Sequence, residues 1–249
     1  MGICSKRKMK TVRAGRQVRQ IIYPIIYAAD PPATRGAKRK ASTAAQALLN
    51  RRHSFEKAQD LIAENFDVGD ILLTLTYDDA HYPAGRKAAE GRAKQFIAKV
   101  RKLWRARKWG DPVIFWVTEE KHGDGRLHHH LIVKAPPAKC YAMLRSCWRW
   151  GSVTDMKKFR VDKEKNFESI ARYLCKEAPE LGKHQWHITR SASRPDVDVR
   201  WVDGDAMIKP PKGSMVLASA SVHDYQFGAG YQYATYILPL TKRKRTRKQ

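Results

Sequence analysis

Cysteine is scarce in these 249 residues: Cys4, Cys140, Cys147 and Cys175 stand apart, with no Cys-x-x-Cys pair among them. That spacing signals neither a zinc ribbon nor a disulfide framework, and it fits a reducing, cytoplasmic setting. Apolar runs of about eighteen residues, long enough to cross a bilayer, are missing. Met1 to Lys10 also lack the hydrophobic stretch of a signal peptide, so a membrane protein is not expected. The largest deficit is in acid: 24 Asp+Glu against 49 Lys+Arg leave a formal charge of +25. Like charges repel in a compact state, and about 2 to 8 net charges are enough to keep a small domain soluble. An excess of this size points to a polyanionic partner, nucleic acid by default, rather than to a merely solvated surface. At 43% hydrophobic residues the chain can still bury a core.

The charge is concentrated at the ends. Lys6, Arg7, Lys8, Lys10, Arg13, Arg16 and Arg19 lead into a β-like run from Ile21 to Tyr27; Pro31 and Pro32 then break the chain before a second basic stretch, Arg35 to Lys40. Ser42 or Thr43 is placed to cap a helix running through Leu48 and Leu49 toward Leu61 and Ile62. Lys242 to Lys248 holds six basic residues and reads as a solvated arm. Composition thus divides the chain into a basic N-terminal extension (1–66), a core (67–200) and a C-terminal segment with a basic tail (201–249). Within the core, Ile71 to Tyr77 reads as a strand, Glu90 to Lys108 as a helix and Val113 to Thr118 as a second strand. Gly123-Asp124-Gly125 supplies a turn before a third strand, Leu127 to Val133. A helix over Lys139–Trp148, a strand over Ser152–Met156 and a helix carrying Phe167, Ile170, Ala171 and Leu174 follow. This order predicts an α+β fold: an antiparallel central sheet with helices on one side, and basic extensions at both ends.

Chemistry-bearing residues gather in the core. In Arg126-Leu127-His128-His129-His130-Leu131, residues 128 and 130 alternate across a strand and point to one face, where two imidazoles can share a metal. Glu119 and Glu120 stand just before the connecting turn, and strand alternation lets only one of them face that pair. Glu120 is slightly favoured from its distance to His128. Two imidazoles and a carboxylate suit Mg²⁺ or Mn²⁺ when phosphate oxygen and water complete the shell. The plain alternative is a set of solvent-facing histidines, or a triplet that takes up a stray transition metal. Downstream, Tyr173 and Lys176 lie three apart and so share a helix face. A phenol is a poor nucleophile at its ordinary pKa of about 10 and needs a cation beside the phosphate it attacks. Alternatively, Tyr173 packs on the core and Lys176 snorkels.

Leu73-Thr74-Leu75-Thr76-Tyr77, then Arg126 to Val133, then Ala171-Arg172-Tyr173-Leu174-Cys175-Lys176 occur in an order that resembles the three successive motifs of rolling-circle replication initiators of the HUH endonuclease superfamily. The nearest similarity is to replication-associated proteins of small single-stranded DNA phages and related prophage or plasmid elements. It covers roughly Ile71 to Ala178 and extends toward Pro195, about half of the chain. The resemblance implies a palm-like fold of the RRM or ferredoxin type. It makes His128 and His130 metal ligands, one of Glu119 and Glu120 the third, Tyr173 the nucleophile and Lys176 a phosphate-positioning residue. His129 departs from the pattern, since a bulky hydrophobe usually sits between the two ligands. It must therefore pack neutral or hydrogen-bond behind the sheet. A second tyrosine near the first is absent.

The implied reaction is a transesterification on single-stranded or origin DNA that leaves a 5′-phosphotyrosine link and a 3′-hydroxyl to prime a host polymerase. No loop of the form G-x-x-x-x-G-K-[ST] occurs, so a host helicase is expected to separate the strands. The alternatives are a single-tyrosine transposase or relaxase with the same chemistry, and a basic nucleic-acid-binding module without activity. His184 and His187 beside Trp186 read as packing or DNA-backbone contacts, Trp148 and Trp150 as either DNA-bracketing or core. Tyr225, Phe227, Tyr231, Tyr233 and Tyr236 read as a strand face rather than a stacking surface.

Overall fold

The computed structural model describes residues 7–25, 44–120, 125–160, 167–175, 186–224 and 229–240. In chain order its elements are β1 (Arg7–Ala14), β2 (Gln17–Pro24), α1 (Ala44–Asn65), β3 (Ile71–Thr76), α2 (Arg86–Ala106), β4 (Ile114–Glu119), β5 (His128–Val133), α3 (Tyr141–Cys147), β6 (Val153–Lys158), α4 (Glu168–Leu174), β7 (His187–Ile188), β8 (Asp196–Val202), β9 (Met215–Asp224) and β10 (Ala229–Ile237). They form two units, residues 42–194 and the pair of segments 1–41 and 195–249. No described helix is long and apolar enough to cross a membrane.

The unit spanning 42–194 is built on an antiparallel sheet of order β6-β3-β5-β4-β7. Its three inner strands are β3, β5 and β4, and β3 (Ile-Leu-Leu-Thr-Leu-Thr) and β4 (Ile-Phe-Trp-Val-Thr-Glu) carry large apolar residues at both parities. Strands of this kind bury both faces. On one face Ile71, Leu73, Leu75, Ile114, Trp116, Leu131 and Val133 meet α2 and α3 through Phe96, Val100 and Leu144. On the other, Phe115, Val117 and Ile132 meet Ala58 and Ile62 of α1 and Ala171 and Leu174 of α4. The α+β class and the antiparallel central sheet are as expected, but helices cover both sides of it rather than one. Along α2 the buried residues Ala89, Ala93, Phe96, Ile97, Val100 and Trp104 recur every three or four positions, which turns the Lys- and Arg-rich remainder of that helix outward.

The second unit is drawn from both ends of the chain: α1 packs into the first sheet, while β1 and β2 join β8, β9 and β10 in a separate antiparallel sheet, β8-β1-β2-β10-β9. The basic leader is largely strand. Arg7, Met9, Thr11 and Ala14 of β1 are buried, and Gly15, at φ +56°, turns the chain into β2. Val18, Ala234 and Tyr236 form its small core with Ile208 and Leu238. The expected caps Ser42 and Thr43, the turn residues Gly123 and Asp124, Tyr225, Phe227 and the tail from 242 lie outside the described residues.

Candidate active site

Register decides which side chains meet. Glu119 of β4 pairs with His128 of β5, and Val117 with His130. Directly opposed residues share a face, and residues two apart share it as well. Glu119, His128 and His130 therefore project together on the side of the sheet that carries α4. Glu119 Oε2 lies 3.0 Å from His130 Nε2 and 3.6 Å from His128 Nε2. The two imidazoles stand nearly perpendicular, with ring centres 4.9 Å apart. Glu120 follows the last residue of β4 and is not part of this group, whose carboxylate is that of Glu119.

Each imidazole is oriented from behind. Nδ1–H of His128 donates to the Arg126 carbonyl oxygen at 2.8 Å, because a carbonyl can only accept. That bond leaves Nε2 on the side of Glu119. His130 Nδ1 lies 2.9 Å from Thr74 Oγ1, the hydroxyl of the residue paired with it on β3. Sequence reasoning missed both supports. The second could have been found, since Thr74 lies in the first of the three motifs at the parity that faces the histidine pair. Such outer partners fix the tautomer and direction of a ligating ring.

The donor set fits a divalent cation. One oxygen and two nitrogens from Glu119, His128 and His130 all lie within 4.8 Å of one another, a mixed set that Mg²⁺, Mn²⁺ or a later transition metal can use. Glu119 is 3% exposed, and a carboxylate this buried needs positive charge close by to stay ionised.

Helix α4 brings the phenol to the same place. Ala171 and Leu174 anchor it in the core while Tyr173 remains 45% exposed. Tyr173 Oη lies 3.4 Å from His130 Nε2, with ring centres 5.1 Å apart. The hydroxyl is thus both reachable from solvent and adjacent to the Glu/His/His group. Burial pushes the neighbouring Cys175 thiol up to about 12, which removes it as a competing nucleophile. Lys176 lies outside the described residues.

His129 points the opposite way. It is fully buried, with Tyr77 Oη 2.7 Å from its Nε2 and Thr118 Oγ1 2.9 Å from its Nδ1. Desolvation, followed by the nearby His128, Arg86 and His130, lowers its pKa to about 3, so the ring is neutral. It packs edge-on against Trp116, Trp148 and Tyr77. Replacing His129 by leucine strips two buried hydroxyls of a partner and is expected to cost about 1–3 kcal/mol of stability. Urea unfolding checks that figure, and Mn²⁺ affinity should be retained because the ring takes no part in the Glu/His/His group.

Other conspicuous residues resolve toward packing. His187 stacks on Trp116 at 4.1 Å, and Trp186 donates its indole N–H to Ser54. Trp148 and Trp150 belong to the core, Trp148 donating to the Thr76 carbonyl oxygen. His184 lies outside the described residues.

Among known proteins, residues 70–179 match the family described as Replication-associated protein ORF2/G2P. The matched segment is less than half of the 249 residues and runs from β3 through α4, so it includes Glu119, His128, His130 and Tyr173. Comparison with curated proteins and with solved structures gave no match.

Proposed function

We propose that this protein initiates DNA replication by cutting one strand at an origin, with Tyr173 as the nucleophile. The observation that carries the reading is the placement of the Tyr173 hydroxyl 3.4 Å from His130 Nε2, beside Glu119 and His128. The family match favours replication over transposition or conjugation, and the +25 charge supplies the attraction to DNA.

In this reading Tyr173 Oη forms a bond to the scissile phosphorus as the bond from phosphorus to the 3′ oxygen breaks. The proton lost by the phenol is balanced by the one gained at the departing 3′-hydroxyl. The strand's 5′ phosphate stays on Tyr173 as an ester, which preserves the bond energy for rejoining, and the 3′-hydroxyl can prime a host polymerase, with strand separation left to a host helicase. A divalent ion, Mg²⁺ or Mn²⁺, held by Glu119, His128 and His130 would neutralise charge developing on the nonbridging phosphate oxygens. Thr74 and the Arg126 carbonyl keep the two rings turned toward that position. The exposure of Tyr173 lets a strand approach it, while Ala171 and Leu174 fix the helix beneath. Lys176 would pair with the bound phosphate.

The test incubates the whole protein with end-labelled single-stranded origin DNA and Mn²⁺ and looks for a protein–DNA band on a denaturing gel. The band is expected, together with its loss on adding EDTA and its return with fresh Mn²⁺ or Mg²⁺. Salt-sensitive binding without any adduct would instead make this a basic nucleic-acid-binding module.

A further inference from the structure

The second unit carries a surface that the cutting chemistry does not use. Along β8 the alternate residues Val197, Val199 and Trp201 are apolar, yet they are 53%, 49% and 52% exposed. Pairing with β1 sets Trp201 opposite Lys8 and Val199 opposite Lys10, and Lys8 Nζ lies 4.6 Å from the centre of the Trp201 ring. The same face continues across β2, where Lys8 pairs with Tyr23 and Lys10 with Ile21. It reaches β10 through Tyr233, the partner of Ile21, and Tyr231, of the same parity, is 39% exposed.

Charge is sorted between the two faces. Along β1, β2 and β8 the charged residues of the aromatic parity are Lys8, Lys10 and Arg19, all cationic. The carboxylates of β8, Asp196 and Asp198, take the other parity, opposite Arg13 and Thr11, and Arg200 shares that side, reaching Met9. On this face the exposed apolar stripe of β8 meets cations and no carboxylate from β1, β2 or β8, and exposed apolar surface rimmed by polar groups marks an interaction site.

We infer that this face is a platform for single-stranded DNA: bases stack on Trp201 and Tyr231 while Lys8 and Lys10 meet the phosphates. Exposed rings can stack only on bases that are not already stacked in a duplex, and the cations of β1 and β2 beside them favour a polyanion over an apolar protein partner. The choice of DNA rests on the reading of the Tyr173 site as one that cuts a DNA strand, and the platform would hold that strand.

Fluorescence anisotropy of labelled oligo(dT) of about 16 nucleotides with the full chain tests it. Trp201→Ala should weaken binding about tenfold, Trp201→Phe should restore most of the loss, and Lys10→Ala should lower the salt slope by about one. Trp201→Ala should keep the parent's unfolding temperature and its rate on a short strand that spans only the cut. If the parent never cuts, the anisotropy series still decides the platform. The platform is overturned by unchanged oligo(dT) affinity in Trp201→Ala, by equal losses on duplex DNA, or by tighter binding of oligo(rU) in the parent. A parental dimer that Trp201→Ala splits without changing affinity would likewise overturn it, making the stripe a contact between copies.

Discussion

Replacing Tyr173 by phenylalanine abolishes the protein–DNA band while affinity for the uncut strand stays within about twofold of the parent. The change deletes one oxygen from a side chain that is 45% exposed and leaves intact the ring packed beside His130 and the Ala171 and Leu174 anchors below it. Fold and phosphate contacts are therefore untouched, and what is lost is the atom that becomes esterified. Loss of a covalent nucleophile removes the adduct outright rather than by degrees, so gel detection and anisotropy on one preparation suffice to separate chemistry from binding. An adduct formed by the phenylalanine variant would assign the nucleophile elsewhere, and with it the role of α4.

The second large effect separates adjacent carboxylates. Glu119→Ala should reduce cutting and Mn²⁺ affinity by at least about 100-fold, whereas Glu120→Ala should change either by no more than about threefold. Glu119 Oε2 contacts both Nε2 atoms from a buried position, so its removal takes away the anionic donor and leaves two imidazoles to hold a cation alone. His130→Ala should match the Glu119 variant, because its ring stands between the carboxylate, Thr74 and Tyr173. Calorimetric Mn²⁺ titration of the three variants, alongside cutting rates, checks this. Comparable losses in Glu119→Ala and Glu120→Ala would mean that the β4–β5 register does not set the third ligand.

The histidine pair and the tyrosine were legible in the sequence because both signals are local: two residues apart on a strand share a face, and a helix with a buried stripe leaves its flank at the surface. The choice between Glu119 and Glu120 was not, since it depends on where β4 stops and how it registers with β5. The two-sided cover of the sheet was written in the unbroken apolar run of β4, Ile-Phe-Trp-Val, which only a strand hidden on both faces tolerates. The second sheet was illegible for a different reason. Lys8 pairs with Trp201 and Arg7 with Val202, partners nearly two hundred residues away, and no local periodicity reports a pairing at that separation. Alternating basic residues also disguised β1 as a charged leader, although its other parity holds Arg7, Met9 and Thr11 in the interior.

Three consecutive imidazoles make β5 chemically degenerate: displaced by one position along its neighbours, the strand would still offer a ring on each side of the sheet. The flanking apolar residues lift that degeneracy, because only the observed alignment puts Leu131 and Val133 into the core on the side where Tyr77 and Thr118 meet the central ring. Slippage by one residue would turn a lone ring toward Glu119 and drive two others into a dry interior. The triplet's position within its apolar frame thus keys strand assembly, so that errors in alignment are penalised before any ion or DNA is bound.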